Sequence, residues 1–471
     1  MVKKFKDKLP EPPEAWLPVR KMAKKVAAPV ERFLSFQAAG GLVLLFNAAL
    51  ALAWANSPWH ESYEHLWHTT LTLGIGTMEM SKSLHFWIND GLMTIFFLVA
   101  GYEIKRELRD GELADMKRAS LPMAAALGGM MIPALIFILL NPTEPQRSGW
   151  GVPMATDIAF AVGILSLLGK RVPAAMRILL LALAIIDDLG AILVIAIFYT
   201  SDFNISGLYY VGGGLLLLLT WRKAAIRPGL LYMIPVITLW YGFYIAGIHP
   251  TLAGVIVGLS APSRAWVSRD LLVDVASNAL QEFREKTRGG DYDDHDILPP
   301  LRRIILAARE AVSPVVHAEA VFHPWVAFFI MPLFALANAG VNLGSVQLVT
   351  SKDYLILFGT ILGLAVGKPL GVMLFSWLAV KAGWATLPKG LRWRSIMIIG
   401  MAAGIGFTMS IFIAELAFPD PALLGVVKLG VLIATAVAAL VVLVFGYFKL
   451  PKMAPDIERV TPSQAERSTQ F

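Results

Sequence analysis

The chain of 471 residues contains no cysteine, and only 16% of its residues are charged. The first absence excludes disulfide frameworks, thiolate metal sites and cysteine nucleophiles. The second, set against 56% hydrophobic residues, excludes an ordinary soluble domain, in which about a quarter of the residues carry charge. The surplus apolar surface has to face lipid. A helix that crosses the hydrocarbon takes about 20 apolar residues, so a chain of this length can supply a dozen and still keep loops and tails. The net charge of +7 is then read by its position in the loops, and nucleic acid is not an expected partner.

Residues 1–35 are rich in lysine, arginine and proline and lack the apolar core and cleavage site of a secretory signal, so they read as a basic cytoplasmic tail. Apolar runs then mark spans near 36–56, 84–105, 119–140, 150–168, 174–199, 206–221, 229–244, 247–261, 314–338, 355–379, 395–417 and 423–448. Eight spans thus occupy 36–261, four occupy 314–448, and 449–471 forms a second tail. Lysine and arginine fall on alternate sides of this layout. Lys105, Arg106, Arg109, Lys117 and Arg118, then Lys170, Arg171 and Arg177, then Arg222, Lys223 and Arg227, and later Lys381, Lys389, Arg392 and Arg394 share one side. The other side holds only Lys82, Arg147 and Lys352. Basic loops stay cytoplasmic, which places both termini there.

Two regions break the rhythm. In 57–83, Leu71, Leu73 and Ile75 alternate with Thr72 and Gly74, which predicts an external hairpin. The polar stretch 262–313 reads as a cytoplasmic insertion with one amphipathic helix, on the spacing of Leu301, Ile304, Ile305, Ala308 and Val312. Its acidic residues Asp291, Asp293, Asp294 and Asp296 do not make a calcium loop. Such a loop needs glycine at its sixth position and glutamate at its twelfth, where Asp296 and Arg302 stand.

Ionisable groups inside apolar spans cost roughly 2.5–3.5 kcal/mol each even on insertion scales, so each needs a partner or a watery cavity. Asp157 lies in the fourth span between Pro153 and Gly163, and Asp187 and Asp188 lie at the middle of the fifth. Neighbours on a helix point about 100° apart, so one of the pair binds and the other supports. Lys368, between Gly367 and Pro369 in the tenth span, is too deep to snorkel and needs an anionic partner, for which Asp157 and Asp187 are the candidates. The eleventh span carries Gly404, Gly406 and Thr408, a weak helix centre. Paired broken helices are a feature of transporters, where carboxylates and lysines balance the exposed helix ends. Glu103, Arg106, Glu107, His249, Glu319 and His323 form a further polar set near the cytoplasmic ends of the spans, and Asp90 is a lone membrane carboxylate in the second span.

These residues make the chain similar to the NhaA-type sodium/proton antiporters. The likeness runs from about Phe36 to Tyr447 without the 262–313 insertion. It rests on Trp87 to Asp90, Gly101 to Leu108, Ala155 to Gly163, Ala182 to Ile192, Thr251 to Gly258, His323 to Ala327, Gly367 to Gly371 and Gly404 to Phe412. The resemblance implies an all-α polytopic fold of twelve helices with inverted repeats, in which broken fourth and eleventh helices cross at mid-membrane. It also implies an electrogenic, pH-regulated exchanger of a bacterial inner membrane that needs no cofactor and is not an enzyme. Asp187 and Asp188 match the pair that binds transported sodium or lithium. Thr156, Asp157, Lys368, Gly404 and Gly406 match the crossing, and Glu103, Arg106, Glu107, His249, Glu319 and His323 match the pH-response set. The stretch 57–83 matches a homodimer contact. Ala320, where some members have histidine, and Pro250, where alanine is usual, depart from the pattern.

An intramembrane aspartyl protease is excluded because no Gly-x-Gly-Asp precedes a membrane aspartate. A nucleotide-driven pump is excluded because Gly367-Lys368 is followed by Pro369 and lacks the earlier glycine of a phosphate loop. A transporter that couples another cation to a small organic ion is the alternative function.

Overall fold

The computed structural model describes residues 39–450, apart from 76–77, 201–202, 225, 227–228, 266, 289–292, 345, 347, 349 and 389. The expected tails lie outside these residues, as does Asp291 of the acidic cluster. A first helix α1, Ala39–Ala55, turns by 114° into a short polar helix α2, His60–His68. The strands β1, Thr70–Ile75, and β2, Met78–Ser83, then pair antiparallel from Thr70↔Ser83 to Ile75↔Met78. The hairpin foreseen at 57–83 therefore occupies only 70–83, after a helix. Glu61, Glu64, His65 and His68 leave α2 too polar for lipid, so it is not part of a crossing.

Four elements follow: α3, Leu84–Asp110; α4, Met116–Leu140; a 3-10 helix, Gln146–Met154; and α5, Ile158–Leu167. Next come α6, Ala174–Phe198; α7, Ser206–Lys223; α8, Met233–Ala246; and α9, Leu252–Ser260. The insertion folds as two helices, α10, Arg269–Thr287, and α11, Asp294–Glu310, packed on each other, where one was expected. The inner stripe of α10, Leu272, Val275, Ala276, Ala279 and Phe283, is interleaved with acids and amides that hide its period. The chain ends with α12, Pro314–Asn338; α13, Ser351–Lys381; α14, Trp393–Ala403; α15, Phe407–Ala417; and α16, Pro421–Lys449.

Every span read from the sequence coincides with a helix or a broken pair. Among the described residues, six of these helices are individually long and apolar enough to cross a membrane, and the broken pairs Gln146–Met154 with α5 and α14 with α15 make eight, with α1 at 17 residues just short of that length alone. The three at α7, α8 and α9 are shorter or less apolar. The order long helix, broken helix, long helix occurs twice, in Met116–Phe198 and again in Ser351–Lys449. The first run starts at the basic loops and the second at the opposite end, and both broken pairs bend by 46°. The two runs meet along α4 and α13. Gly128 and Gly371 let these backbones touch, since a Cβ on Gly128 would stand 2.1 Å from the Gly371 carbonyl oxygen. Small residues of this kind replace the hydrophobic drive that lipid removes. Elsewhere in the core Phe97, Phe334 and Phe412 pack as a buried aromatic cluster, with centroids 5.5 and 6.2 Å from Phe412.

Candidate ion-binding site

A broken helix exposes backbone groups at both new ends, and buried ones must find partners. Here the two breaks supply each other. The Asp157 amide donates to the Ile405 carbonyl at 2.7 Å, and the Thr156 hydroxyl lies 3.0 Å from the Ala403 carbonyl oxygen. Asp157 caps α5, accepting from the Phe160 amide at 3.0 Å through Oδ1. Its Oδ2 accepts from the Thr408 amide at 3.2 Å and from the Thr408 hydroxyl, at the start of α15. One carboxylate thus sits between two helix N-termini, whose partial positive charges it balances. The break expected between Pro153 and Gly163 falls at residues 155–157. Gly163 is helical and instead seats α5 against Gly41 of α1.

Lys368 balances the other polarity. Its ammonium donates to the carbonyl of Met154, where the 3-10 helix ends, and to Asp187 Oδ2 at 2.6 Å, with both side chains fully buried. Thr156 Oγ1 also lies 2.5 Å from Asp187 Oδ2. A hydroxyl carries one proton, so Thr156 donates either to Asp187 or to Ala403. Asp187 Oδ1 and Asp188 Oδ1 are buried with no hydrogen-bond partner among the described residues.

The helical offset separates the two aspartates as expected. Asp187 turns to Lys368, while Asp188 lines a cavity of about 620 Å³ shared with Thr156 and Asp157. The cavity extends to Glu103, Arg177 and His323, toward the basic loops. Three carboxylates are therefore buried at the crossing with one ammonium, and at least one of them has to hold a proton or a cation to stay buried. Their oxygens, with the Thr156 hydroxyl, are hard ligands of the kind that suits a small alkali cation.

Gly404 lies at the end of α14, where a Cβ would come within 2.5 Å of the Leu364 carbonyl oxygen, and Gly406 faces Ser410 and Ala155. Arg106 pairs with Glu319 beside the cavity mouth, and Glu107 accepts from the Glu112 amide at 2.7 Å just below it. His249 does not join this group. Its Nε2 donates to the Tyr199 carbonyl at 2.6 Å, beyond the far end of α6. Asp90 lies in a π turn of α3, where its backbone carbonyl accepts from Trp240 Nε1 at 2.9 Å. Thr408 and the Met154 carbonyl were not foreseen as site groups. A threonine just past a glycine break was the available signal for the first, and nothing in the sequence marks a carbonyl.

A helical membrane bundle with excess buried carboxylate at the contact of two broken helices belongs to the class of secondary ion transporters. The family model described as Na+/H+ antiporter 1 matches residues 31–445, and the chain belongs to that family. A Sorangium cellulosum protein named Na(+)/H(+) antiporter NhaA 2 is 52% identical over 460 residues, covering 98% of each chain. A protein of the same name from Myxococcus xanthus is 50% identical over 458 residues, covering 97% of each. A solved structure of the sodium proton antiporter MjNhaP1 from Methanocaldococcus jannaschii, 15% identical, covers 92% of this chain and 96% of that one at a TM-score of 0.44.

Proposed function

We propose that this sodium/proton antiporter exchanges sodium or lithium for protons at Asp187 and Asp188, by competition for one site. The observation that carries the reading is the imbalance of three carboxylates against one ammonium, with two carboxylate oxygens unpartnered among the described residues. With its carboxylates ionised, the site takes a largely dehydrated cation from the cavity. Protonation removes the charge that holds the cation and releases it. Alternating access follows when only loaded forms, protonated or cation-bound, move between the two faces. Asp157, Thr156, Gly404, Gly406 and Lys368 keep the crossing assembled and its charge balanced.

The exchange is electrogenic when more than one proton leaves for each ion taken up, with Asp188 and the Lys368–Asp187 pair as the sources. Glu103, Arg106, Glu107, Glu319 and His323, at the basic mouth, tune it to cytoplasmic pH, and His249 acts from the opposite end. The alternation of basic loops supports both termini in the cytoplasm of an inner membrane. The half-exposed Leu71 and Leu73 on the hairpin support a homodimer through that edge.

The test is proton flux in proteoliposomes on adding sodium, lithium or potassium across a pH series, with and without a clamped membrane potential. Sodium or lithium alone evokes proton movement, and the clamp changes its rate. Silence with every cation unless an organic solute is present replaces this reading with solute-coupled transport.

A further inference from the structure

Tyr199 follows directly on α6 and lies outside every motif singled out in the sequence. Its hydroxyl donates to the Ser148 carbonyl at 2.7 Å and accepts from the Gly151 amide at 3.3 Å. Both partners belong to the 3-10 helix Gln146–Met154. Gly151 makes the approach possible, since a Cβ there would stand 2.8 Å from the phenol oxygen. The Tyr199 carbonyl is held from a third direction by His249 Nε2, at 2.6 Å. An apolar contact completes the junction, with Trp150 edge-on to Phe198 at 5.1 Å.

The inner end of the same 3-10 helix reaches the ion site. Its Met154 carbonyl accepts from Lys368, and Thr156, two residues on, meets Asp187 at 2.5 Å. Asp187 sits on α6, twelve residues before Tyr199, or about 18 Å along the axis. A closed frame results. One side is α6 and the other is the 3-10 helix. Tyr199 closes the outer end, and the contacts of Thr156, Asp187 and Lys368 close the inner. Runs of 3-10 helix longer than about four residues are uncommon because their hydrogen bonds are poorly aligned. A nine-residue run therefore depends on bracing from outside.

We infer that Tyr199 is a positioning residue of the exchange site. Its hydroxyl sets the register of the 3-10 helix against α6, and so the depth at which the Met154 carbonyl and the Thr156 hydroxyl meet Lys368 and Asp187. The inference rests on the reading of Asp187 as part of the ion site. The phenol does not touch the ion, so its loss changes how well the site is assembled and leaves the exchange chemistry in place.

The experiment measures half-saturating sodium and maximal rate of proton flux for the full chain in proteoliposomes, together with thermal unfolding. The variants are Tyr199→Phe, which removes one oxygen, and Trp150→Phe, which alters only the apolar contact. Tyr199→Phe is expected to raise half-saturating sodium about threefold or more and to leave the maximal rate within about twofold, the pattern of lost binding. Trp150→Phe leaves both constants at wild-type values. Gly151→Ala, which drives a methyl against the hydroxyl, gives the same rise and serves if Tyr199→Phe does not fold. Wild-type half-saturation in both Tyr199→Phe and Gly151→Ala, or an equal rise in Trp150→Phe, overturns the inference. A silent wild type overturns the transport reading and this inference with it.

Discussion

Two buried ionic clusters lie in this bundle, and they are built on opposite plans. At the crossing, Asp157, Asp187 and Asp188 lie with one ammonium, that of Lys368, which pairs with Asp187 alone, and Asp187 Oδ1 and Asp188 Oδ1 have no hydrogen-bond partner among the described residues. Farther along α15, Glu415 pairs with Lys428 of α16, and its Oε1 lies 3.6 Å from His85 Nε2 of α3. His85 donates to Asn338 Oδ1 of α12 at 2.9 Å, and Asn338 and Asn89 exchange hydrogen bonds of 2.8 and 3.2 Å. Here one carboxylate faces one ammonium and an imidazole, and the amides satisfy each other. The balanced cluster ties four helices together. The unbalanced one, opening on a cavity, can exchange what it holds. The crossing is also the more deeply buried of the two, but it is the ratio of carboxylates to cations that sets their chemistry apart.

The comparison breaks if the unbalanced site proves structural. Asp188→Asn removes a buried charge that has no cation of its own, so sodium-evoked proton flux is expected to fall by at least about a hundredfold while thermal stability stays level or rises. Flux in proteoliposomes and unfolding in detergent read the two effects separately. Lys428→Met is the converse. It deprives Glu415 of its ammonium, and breaking a buried pair from one side costs about 3–5 kcal/mol, so unfolding moves to lower temperature while half-saturating sodium in the folded fraction is unchanged.

Smaller effects sharpen the picture. Gly404→Ala puts a methyl 2.5 Å from the Leu364 carbonyl oxygen, an overpacking of about 1–3 kcal/mol that pushes the second break away from α13. Lower maximal flux with intact membrane insertion is expected. The smallest effect belongs to Glu282 on the exposed insertion. Hydrogen bonds from Lys286 and Arg303 hold its carboxyl below the usual glutamate range. A lowered carboxylate contributes fully above its ordinary value of about 4.3 and is lost only as pH falls through the lowered one. Glu282→Gln therefore leaves transport unchanged across neutral pH, and hydrogen exchange shows faster opening confined to α10 and α11.

Much of the site was legible because charge inside an apolar run is conspicuous. Asp157, Asp187, Asp188 and Lys368 stand out on that ground alone, and Gly404 and Gly406 mark one of the breaks. Which aspartate faces the lysine was not legible, since adjacency fixes an angle and not a direction. The principle that found Lys368 applies equally to Glu415 and Lys428. Their place near span ends, where charges are ordinary, makes them inconspicuous. His249 was grouped with residues of the cytoplasmic mouth, although the alternation of basic loops already puts the start of the eighth span on the other side. The 3-10 form of Gln146–Met154 depends on how Gly149 and Gly151 admit Phe418 and Tyr199, and those contacts are tertiary. The second insertion helix was hidden by its mixed face.

The central claim is that cation and proton compete for the excess carboxylate charge at the crossing. Calorimetric titration of sodium or lithium into the purified protein, in two buffers that differ in ionisation enthalpy, counts the protons released per ion bound. The account predicts net proton release in the wild type and its loss, together with cation binding, in Asp187→Asn. Cation binding without proton release, or binding and release that survive in Asp187→Asn, contradicts it.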